Sequence, residues 1–331
     1  MISDNVDVVS IGNAIVDIVN PIDFSFLKKN KLVPGSMNLL DDNKSKKLLS
    51  QINPNKEIIS GGSAANTAVG ISSFGGKAAF IGKVKDDQYG NFFKKDLDYM
   101  NVSFDTEFTK DGPPTATSII SVTPDGERTM CTYLGACLGL DRNDIDEKII
   151  AKSKICYLEG YLWDPPKAKE AFIKAISICK ANGNKTAFTL SDSFCVNRFK
   201  KEFEELVCND IDVLFSNEDE IKALYKSDNL ENSIKLAKEN CEIIIITKGA
   251  SGSIIVTKNA NYEIKAIDVE KVIDKNGAGD AFAAGFLFGL SNDYEIDKCG
   301  ALGNIAATEI ITHYGARPKT KLSNLIKEIN N

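Results

Sequence analysis

A mostly parallel α/β sheet with helices on both faces, accompanied by a small β-sheet, is the fold class that this sequence predicts. Short apolar runs alternate with helical stretches along most of the chain, which is typical of a parallel sheet. Two turn-rich segments with short strand patterns interrupt this alternation. No proline- or glycine-rich linker divides the chain, so we expect residues 1–331 to form one domain around a continuous core.

The elements follow one another from the N-terminus. The first predicted strand covers residues 6–12 and ends in a turn. Residues 62–74 form the first predicted helix, in which small side chains allow close packing and Ser63 is a candidate N-cap. The further predicted strands are 78–82, 154–158, 186–190, 212–215, 242–247 and 253–258, and further helices are 167–182 and 219–225.

The two interrupting segments, at about 14–40 and 102–136, predict a small separate sheet. Residues 117–122 have a strand pattern, 123–126 have the turn sequence Thr-Pro-Asp-Gly, and 127–134 return as a second strand. Such a hairpin is short and turn-rich. We expect this small sheet to cover the functional site as a lid.

Composition excludes several functional classes. Of the 331 residues, 43% are hydrophobic, which is enough for a large core. The net charge of −6 argues against nucleic acid as the main partner. The longest aliphatic run, Ile243 to Ile246, is too short to span a bilayer. Residues 1–5 lack the pattern of a signal peptide, so we predict a cytoplasmic protein without membrane contact.

Cysteine and histidine usage narrows the chemistry further. The eight cysteines are dispersed, and no pair has C-x-x-C spacing. In a chain of this length without an export signal, they predict buried free thiols in a reducing compartment. The single histidine, His313, excludes a His-rich metal site and argues against a Ser-His-Asp triad.

The most informative motif is Gly277-Ala278-Gly279-Asp280, which opens a helix of small residues. A glycine turn at a helix N-terminus directs backbone N–H groups and the positive helix end toward one point, which favours an anion. Asp280 places a base beside this anion hole, an arrangement suited to phosphoryl transfer to an alcohol. The alternative is an ordinary helix entry with an acidic residue in its first turn.

Two further motifs lie beyond the carboxyl ends of strands, where parallel sheets collect ligands. Asn13 and Asp17 follow the first strand, and an aspartate there can accept hydrogen bonds from two neighbouring sugar hydroxyls. Gly61 and Gly62 allow close approach of backbone to a ligand, and Asn66 offers an amide to a ligand hydroxyl. A structural turn and simple close packing of a helix on the sheet are the alternatives.

Two motifs are candidates for binding the nucleotide. Asn217 and Glu220 follow a strand, and their oxygens suit the water around Mg²⁺ or a phosphate. A helix N-cap with acidic residues in the first turn is the alternative. Residues 247–252, Thr-Lys-Gly-Ala-Ser-Gly, link two strands and have glycines and hydroxyls suited to phosphates and ribose. A hairpin turn is the alternative there.

In this order, the motifs resemble the PfkB (ribokinase-like) family of sugar and nucleoside kinases over essentially the whole chain. The set comprises Gly12-Asn13, Gly61-Gly62, Asn217 with Glu220, Thr247-Lys248-Gly249, Gly277 to Asp280 and Tyr314-Gly315-Ala316-Arg317-Pro318. Residues 125–130, Asp-Gly-Glu-Arg-Thr-Met, and residues 132–136, Thr-Tyr-Leu-Gly-Ala, look more like the adenosine-kinase-like branch than like ribokinase.

The resemblance implies a ribokinase-like fold with a β-sheet lid, and it implies ATP and Mg²⁺. Asp280 matches the family's catalytic base, residues 277–279 match its anion hole, and Asn217 and Glu220 match its Mg²⁺ motif, which acts through water. The implied acceptor-binding residues are Asn13, Asp17, Gly61, Gly62, Asn66, Arg128, Leu134, Ala136 and Asp280. The implied ATP-binding residues are Asn217, Thr247, Lys248, Gly249, Gly252, Gly277, Gly279 and Asn304.

Two departures from the family pattern bear on the site. Lys275 and Asn276 stand where the family usually has a Thr-Thr or similar pair, but backbone carbonyls do much of the work there. Some members bind a monovalent cation with the residue that Asp274 matches, and Lys319 stands where ribokinase-like members have a small hydroxyl residue. The Lys319 ammonium is a candidate replacement for that cation, so dependence on K⁺ stays open.

We predict ATP-dependent transfer of the γ-phosphoryl group to a primary hydroxyl on a ribose-like ring, with adenosine as the preferred acceptor. Another nucleoside or a free sugar such as ribose, fructose or 2-keto-3-deoxygluconate is the alternative, and a non-catalytic ligand-binding protein is a remote one. Tyr161, Trp163 and Phe194 are candidates for stacking on a base, with core packing as the alternative. A monomer and a lid-mediated homodimer both stay open.

Other nucleotide-binding folds fit the sequence poorly. A P-loop needs G-x-x-x-x-G-K-[ST], whereas Gly76-Lys77 is followed by Ala78 and position 71 is Ile. A Rossmann dehydrogenase needs its glycine fingerprint directly after the first strand, where this chain has Gly12-Asn13-Ala14. The H-R-D and D-F-G motifs of protein kinases are absent from the sequence.

Overall fold

The computed structural model describes residues 5–53, 56–125 and 127–326, which form two sheets and eleven α-helices. The strands are β1 (Val6–Ile11), β2 (Ile15–Pro21), β3 (Met37–Leu39), β4 (Glu57–Gly61), β5 (Ala78–Ile81), β6 (Val102–Ser103), β7 (Ala116–Val122), β8 (Arg128–Tyr133), β9 (Ser153–Glu159), β10 (Lys185–Thr189), β11 (Val213–Asn217), β12 (Ile243–Thr247), β13 (Ser253–Thr257) and β14 (Asn261–Ile264). The helices are α1 (Phe24–Lys29), α2 (Asp42–Leu49), α3 (Ser63–Phe74), α4 (Gln88–Tyr99), α5 (Glu147–Lys152), α6 (Pro166–Asn182), α7 (Ser193–Asp210), α8 (Glu218–Tyr225), α9 (Leu230–Asn240), α10 (Ala278–Ser291) and α11 (Ile296–Ile311).

Nine strands form the large sheet, in the order β14-β13-β12-β11-β10-β9-β1-β5-β6. Neighbours from β6 to β12 are parallel, whereas β13 and β14 are antiparallel additions at the far edge. Successive residues of β1 bury their side chains in different apolar clusters, Val9 and Ile11 in one and Val8 in the other. Both faces are therefore covered, as a parallel sheet requires. The predicted mostly parallel α/β architecture is confirmed.

Five strands form the small sheet, in the order β3-β8-β7-β2-β4. The predicted hairpin is present as β7 paired antiparallel with β8, although Gly126 of its turn lies outside the described residues, as do residues 1–4. The small sheet differs from the expectation in two strands. Strand β4 belongs to it, paired with β2, and β6 instead extends the large sheet beside β5. Neither strand was assigned correctly because both are short and their partners lie far away in sequence.

Helices α3 and α10 bring two glycine-containing turns together. Both helices carry mostly small buried side chains and pack against each other beside β1. Small side chains let helix axes approach closely, so the N-terminal turns of the two helices become neighbours. Strand β1 ends in the same region, which collects the predicted motif residues at one edge of the large sheet.

Seven of the cysteines are buried, and Cys208 is exposed. The prediction of buried thiols is therefore wrong for Cys208. Helix α7 buries Leu206 and Val207 on its inner side, and the helical period turns the next residue outward. Among the described residues, no helix is long and apolar enough to cross a membrane.

Candidate active site

Helix α10 begins in a glycine turn. Its N-cap, Gly277, has a left-handed φ of 80°, and a Cβ at this position would collide with Ala316. Only glycine fits this turn without strain. Asp280 lies in the first turn of the helix, and Gly277, Gly279 and Asp280 line one cavity. The positive end of α10 therefore lies beside a carboxylate. Of the predicted anion-hole residues, Ala278 has its N–H paired with Lys275 O at 3.3 Å.

Two side chains of α3 hydrogen-bond to Asp280. Ser63 Oγ donates to Oδ1 at 2.6 Å, and Asn66 Nδ2 donates to Oδ2 at 3.0 Å. Burial raises the pKa of Asp280, and these two hydrogen bonds lower it again. Ser63 was predicted as the N-cap of its helix, but the N-cap is Gly62. The Ser63 hydroxyl instead donates to a carboxylate, which is the stronger acceptor.

Glu159, at the end of β9, was missed by the sequence analysis. Its Oε1 accepts hydrogen bonds from Asn13 Nδ2 at 2.7 Å and from Asn13 N at 3.3 Å, and its Oε2 accepts one from Ala64 N at 2.8 Å. Burial raises the pKa of Glu159 to about 7, against these hydrogen bonds. Glu159 therefore joins the turn after β1 to the first turn of α3. A single carboxylate at the end of the apolar run 154–158 was the signal that could have revealed it.

Asp17 of β2 lies against Gly61 of the paired strand β4, where a Cβ would collide with its carboxylate. Burial raises the pKa of Asp17 to about 7, while the charges of Arg317 and Arg128 lower it and that of Asp280 raises it. Asp17 lines the same cavity as Asp280. The Asp17 and Asp280 carboxylates thus line the same cavity, and Gly61 at the end of β4 leaves room for the Asp17 side chain.

Asn217 and Glu220 form a capping box at the start of α8. Glu220 N donates to Asn217 Oδ1 at 2.9 Å, while Asn217 N and Nδ2 donate to the Glu220 carboxylate at 3.0 and 2.6 Å. Burial raises the pKa of Glu220 to about 7. Both residues also line the cavity, so the helix cap lies at the cavity surface.

Residues 247–252, which were predicted to bind the nucleotide, form a hairpin turn. Strands β12 and β13 pair antiparallel, and residues Gly249–Ser251 between them form a single 3₁₀ turn closed by Lys248 N donating to Gly252 O at 2.7 Å. Thr247 lines the cavity. Asn304, on α11, is buried, and its Nδ2 donates to Lys265 O at 2.6 Å.

Arg128 was expected to close over the acceptor, but its guanidinium lies on Asp274. Arg128 Nη2 is 3.0 Å from Asp274 Oδ2, and the guanidinium lies over the Tyr314 ring, 5.2 Å from its centroid. Gly315 N and Asn276 N also donate to the Asp274 carboxylate, each at 3.1 Å. Lys319, the candidate cation replacement, is exposed. The cation beside Asp274 is therefore an arginine of the small sheet.

The cavity has a volume of about 560 Å³ and lies between the two sheets. It brings together most of the residues that the sequence predicted. The predicted residues that line it are Asn13, Asp17, Gly62, Asn66, Leu134, Asn217, Glu220, Thr247, Gly277, Gly279 and Asp280. The predicted residues outside its lining are Gly61, Arg128, Ala136, Lys248, Gly249, Gly252, Asp274, Ala278 and Asn304.

The three aromatic candidates for stacking divide into two groups. Tyr161 and Phe194 line the cavity, and Phe194 is 58% exposed. Trp163 is instead a core residue, buried against Phe172 and Phe203, and its Nε1 donates to Glu202 Oε2 at 2.7 Å. Of the three residues, Trp163 therefore packs in the core, whereas Tyr161 and Phe194 stay candidates for stacking on a base.

The motifs predicted the site of a phosphotransferase, and the cavity has the expected parts. These are the glycine turn of α10, the half-buried Asp280 carboxylate, and the pair formed by Asn217 and Glu220. The sequence profile described as pfkB family carbohydrate kinase matches residues 32–322. The chain belongs to the PfkB family. It is therefore a phosphotransferase that acts on an alcohol group of a sugar or a nucleoside, and the resemblance stated from the motifs is confirmed.

Solved structures agree with this family and its fold. The crystal structure of adenosine kinase from Sinorhizobium meliloti superposes with a TM-score of 0.92 and is 44% identical, covering 98% of this chain and 99% of that chain. A probable sugar kinase protein from Rhizobium etli CFN 42 also superposes with a TM-score of 0.92 and is 41% identical, with the same coverage. The predicted ribokinase-like fold is confirmed.

A relative in sequence has a different acceptor in its name. The 5-dehydro-2-deoxygluconokinase of Geobacillus kaustophilus is 30% identical over 267 residues, which are 77% of this chain and 79% of that protein. Kinases of this family use ATP and typically Mg²⁺. Among the described residues, no group of three or more carboxylate, histidine or cysteine side chains is placed to hold a metal ion by itself. Asn217 and Glu220 do fit Mg²⁺, because this ion usually keeps several waters and is shared with substrate phosphates.

Proposed function

We propose that this protein transfers the γ-phosphoryl group of ATP to a primary hydroxyl of a nucleoside, with adenosine as the preferred acceptor. One observation carries the proposal: the Asp280 carboxylate and the glycine turn of α10 line a cavity to which the small sheet contributes several apolar side chains. The carboxylate and turn suit the phosphoryl transfer. The apolar wall suits a flat, uncharged base.

Asp280 would act as the general base at the phosphoryl-accepting hydroxyl. A carboxylate that accepts hydrogen bonds from Ser63 and Asn66 is held in one orientation, which pre-organises proton removal from the alcohol. Residues 277–279 would donate backbone N–H groups to the oxygens of the transferring group. Asn13, Asp17, Gly62 and Asn66 would hold the ribose hydroxyls.

The nucleotide would lie toward α8 and the β12–β13 hairpin. Thr247, Lys248, Gly249, Gly252 and Asn304 would contact ATP, with Thr247 nearest the cavity. Asn217 and Glu220 would hold the waters of Mg²⁺. When bound, this ion supplies positive charge that offsets the phosphate oxygens.

The charge of the cavity favours an uncharged acceptor. Six carboxylates line it, whereas its one lining guanidinium, Arg198, is already paired with Asp164. A sugar acid brings another negative charge into this space, and among the described residues no lining cation is available to receive it. The carboxylates are Asp17, Glu159, Asp164, Asp192, Glu220 and Asp280.

The small sheet supplies the apolar wall. Its strands and the turn after them place six apolar side chains along the cavity, where a nucleobase could be covered as the ribose reaches Asp280. These side chains belong to Ile15, Met37, Leu39, Ile120, Met130 and Leu134. Tyr161 and Phe194 add aromatic surface at the large sheet. The solved adenosine kinase at 44% identity supports the same acceptor class.

A free-sugar kinase is the second candidate. The sequence likeness to 5-dehydro-2-deoxygluconokinase favours it, as do the polar groups of Asn13, Asp17 and Asn66, which suit any polyol. A gluconate-type acceptor carries a carboxylate, so this candidate requires the acidic cavity to accept an anion.

A panel of acceptors tests the proposal. Purified protein is supplied with ATP and Mg²⁺, and ADP formation is measured with adenosine, inosine, ribose, fructose, 2-keto-3-deoxygluconate and 5-dehydro-2-deoxygluconate. We expect the highest kcat/KM for a nucleoside and phosphate at its primary hydroxyl, checked by mass spectrometry and ³¹P NMR. Turnover with free sugars alone contradicts the nucleoside assignment. Thermal stabilisation by an acceptor without turnover of any supports a non-catalytic binding protein instead.

A further inference from the structure

Arg317 is a buried cation in the loop after α11, and it contacts two helices beside the cavity. Its side chain is 7% exposed. Nε donates to Asn66 Oδ1 of α3 at 3.3 Å, and Nη1 forms an ion pair with Asp96 of α4. Nη2 is buried and has no hydrogen-bond partner among the described residues. The sequence motif that contains Arg317 marked the family, but no role followed from it.

The guanidinium determines how the Asn66 amide is oriented. Arginine has only donors, so the atom of Asn66 that faces Nε must be the carbonyl oxygen Oδ1. The amide nitrogen Nδ2 then points the other way and donates to Asp280 Oδ2 at 3.0 Å. A rotated amide would place its NH₂ group against a guanidinium and its oxygen against a carboxylate, and both contacts are repulsive.

We propose that Arg317 is a positioning residue that holds the Asn66 amide in the orientation that donates to Asp280. This inference rests on the proposed function, in which Asp280 is the general base. Arg317 does not line the cavity. Among the described residues, its one hydrogen bond to a cavity-lining side chain is the bond to Asn66, while its charge also lowers the pKa of Asp17.

The surroundings of Asp280 explain why this donor matters. Asp17 on β2 and Glu159 on β9 interact with Asp280 as like charges, and the phenols of Tyr157 and Tyr161 are further titratable neighbours. Burial also opposes its charge. Ser63 and Asn66 are the two side chains whose hydrogen bonds lower its pKa. Loss of the Asn66 donor should therefore raise the pKa of Asp280 and delay its ionisation to higher pH.

The test compares Arg317→Met and Arg317→Lys with the unaltered protein. The pH dependence of kcat/KM for the acceptor gives the pKa of the base in the free enzyme. We expect the acidic limb to move to higher pH by about one unit in Arg317→Met, a shift comparable to the loss of one hydrogen bond to a charged group. Arg317→Lys keeps the charge near Asp96 but has no guanidinium, so a smaller shift in the same direction is expected. If Arg317→Met folds and the acidic limb of its pH profile lies at the same pH as in the unaltered protein, the proposal is overturned.

Two controls separate positioning from stability and from simple charge. Asp96→Asn weakens the other contact of the same guanidinium and should lower Tm without moving the limb. In an Asn66→Ala background, where the amide is already absent, Arg317→Met should cause no further shift. An equal shift with and without Asn66 means that Arg317 acts by its charge alone, which also overturns the proposal. If Arg317→Met does not fold, Arg317→Lys in the same two backgrounds decides the question.

A second readout needs no turnover. ¹³C NMR titration of the aspartate carboxyls, with the Asp280 signal assigned by its loss in Asp280→Asn, measures the pKa of Asp280 in the free protein. An upward shift in Arg317→Met supports the positioning role even if no acceptor is phosphorylated, in which case the proposed function fails alone. An unchanged NMR pKa in an enzyme that turns over normally means that the positioning role fails alone.

Discussion

At one end of the cavity, the first turns of α3, α8 and α10 present backbone and short polar side chains, including Asn66, Asn217 and Asp280. At the other end, the small sheet presents longer apolar side chains such as Met37 and Leu39, which are 43% and 49% exposed. We call these the helix end and the small-sheet end. Positions at the helix end are fixed by helix geometry and by hydrogen bonds between distant segments, whereas those at the small-sheet end are held mainly by strand pairing.

This difference indicates a division of labour. Groups that are fixed by helix starts can serve the same phosphoryl chemistry with many acceptors, because that chemistry needs only the transferring group, its Mg²⁺ and a hydroxyl. Half-exposed side chains on a separate sheet can differ between relatives without disturbing those groups. The same family can therefore include kinases named for adenosine and for a sugar acid.

The largest effect is expected at the helix end, from Asp280→Asn. The asparagine has the same shape but cannot take a proton, so kcat should fall by about 10²–10⁴-fold. Binding of ATP, measured by calorimetry, should be retained. A kcat close to that of the unaltered enzyme would contradict the role of Asp280 and, with it, the distinction between the two ends.

Arg128 of the small sheet forms an ion pair with Asp274, which precedes α10, and thereby joins the two ends. Arg128→Met should remove this ion pair. The mutation leaves the Asp274 carboxylate, which is 6% exposed, without its charged partner. Removing one member of a buried ion pair costs about 3–5 kcal/mol of unfolding free energy, which denaturant titration can measure.

The same pair predicts the response to K⁺. Since a guanidinium already neutralises Asp274, activity of the unaltered protein should be equal in K⁺ and Na⁺ buffers, whereas K⁺ should partly restore the stability of Arg128→Met. A requirement of the unaltered protein for K⁺ would show that the ion pair does not replace a cation.

Glu220→Gln tests the metal-facing part of the helix end. If Glu220 holds metal-bound waters as proposed, its replacement should raise the half-saturating Mg²⁺ concentration by about tenfold, with acceptor KM unchanged. Asp219→Asn is the matched control, because this neighbouring acid is exposed and lies outside the cavity lining. Equal Mg²⁺ dependence in both variants and in the unaltered protein would argue that Glu220 serves only the helix cap.

The smallest effect is expected at the small-sheet end, from Leu39→Ser. Loss of part of the apolar wall should cost about 1 kcal/mol of acceptor binding, or about a fivefold increase in nucleoside KM, with kcat and ATP KM preserved. Val33→Ser provides the control, since Val33 is exposed in the same segment but does not line the cavity. A change in kcat instead of KM would mean that the two ends are not separable.

The sequence could predict what depends on local patterns. Gly62 and Gly277 have φ values of 92° and 80°, so the turns that need glycine were visible in the sequence. The alternation of strands and helices likewise predicted the large sheet. Both features arise from neighbours within a few residues, which is the range that sequence patterns report.

Contacts between distant segments were harder to predict. Glu159 holds Asn13 across 146 residues, and Arg317 holds Asn66 across 251. The family resemblance implied that Arg128 closes over the acceptor, and nothing in the local sequence indicated its ion pair with Asp274, 146 positions further along the chain. Residue type shows what a side chain can bind, and only the fold shows what lies within its reach.

The connections of the small sheet have a mechanical consequence. Strand β2 continues from β1 through residues 12–14, and β4 continues into α3 through Gly62. These two crossings, which contain Asn13 and Gly62, are joints of the small sheet on the rest of the molecule. Any tilt of that sheet must rotate the backbone at these joints. A ligand bound to Asn13 and Gly62 would therefore restrict backbone rotation at these two connections. Ligand binding in the cavity and the tilt of the small sheet would then depend on the same few peptide bonds.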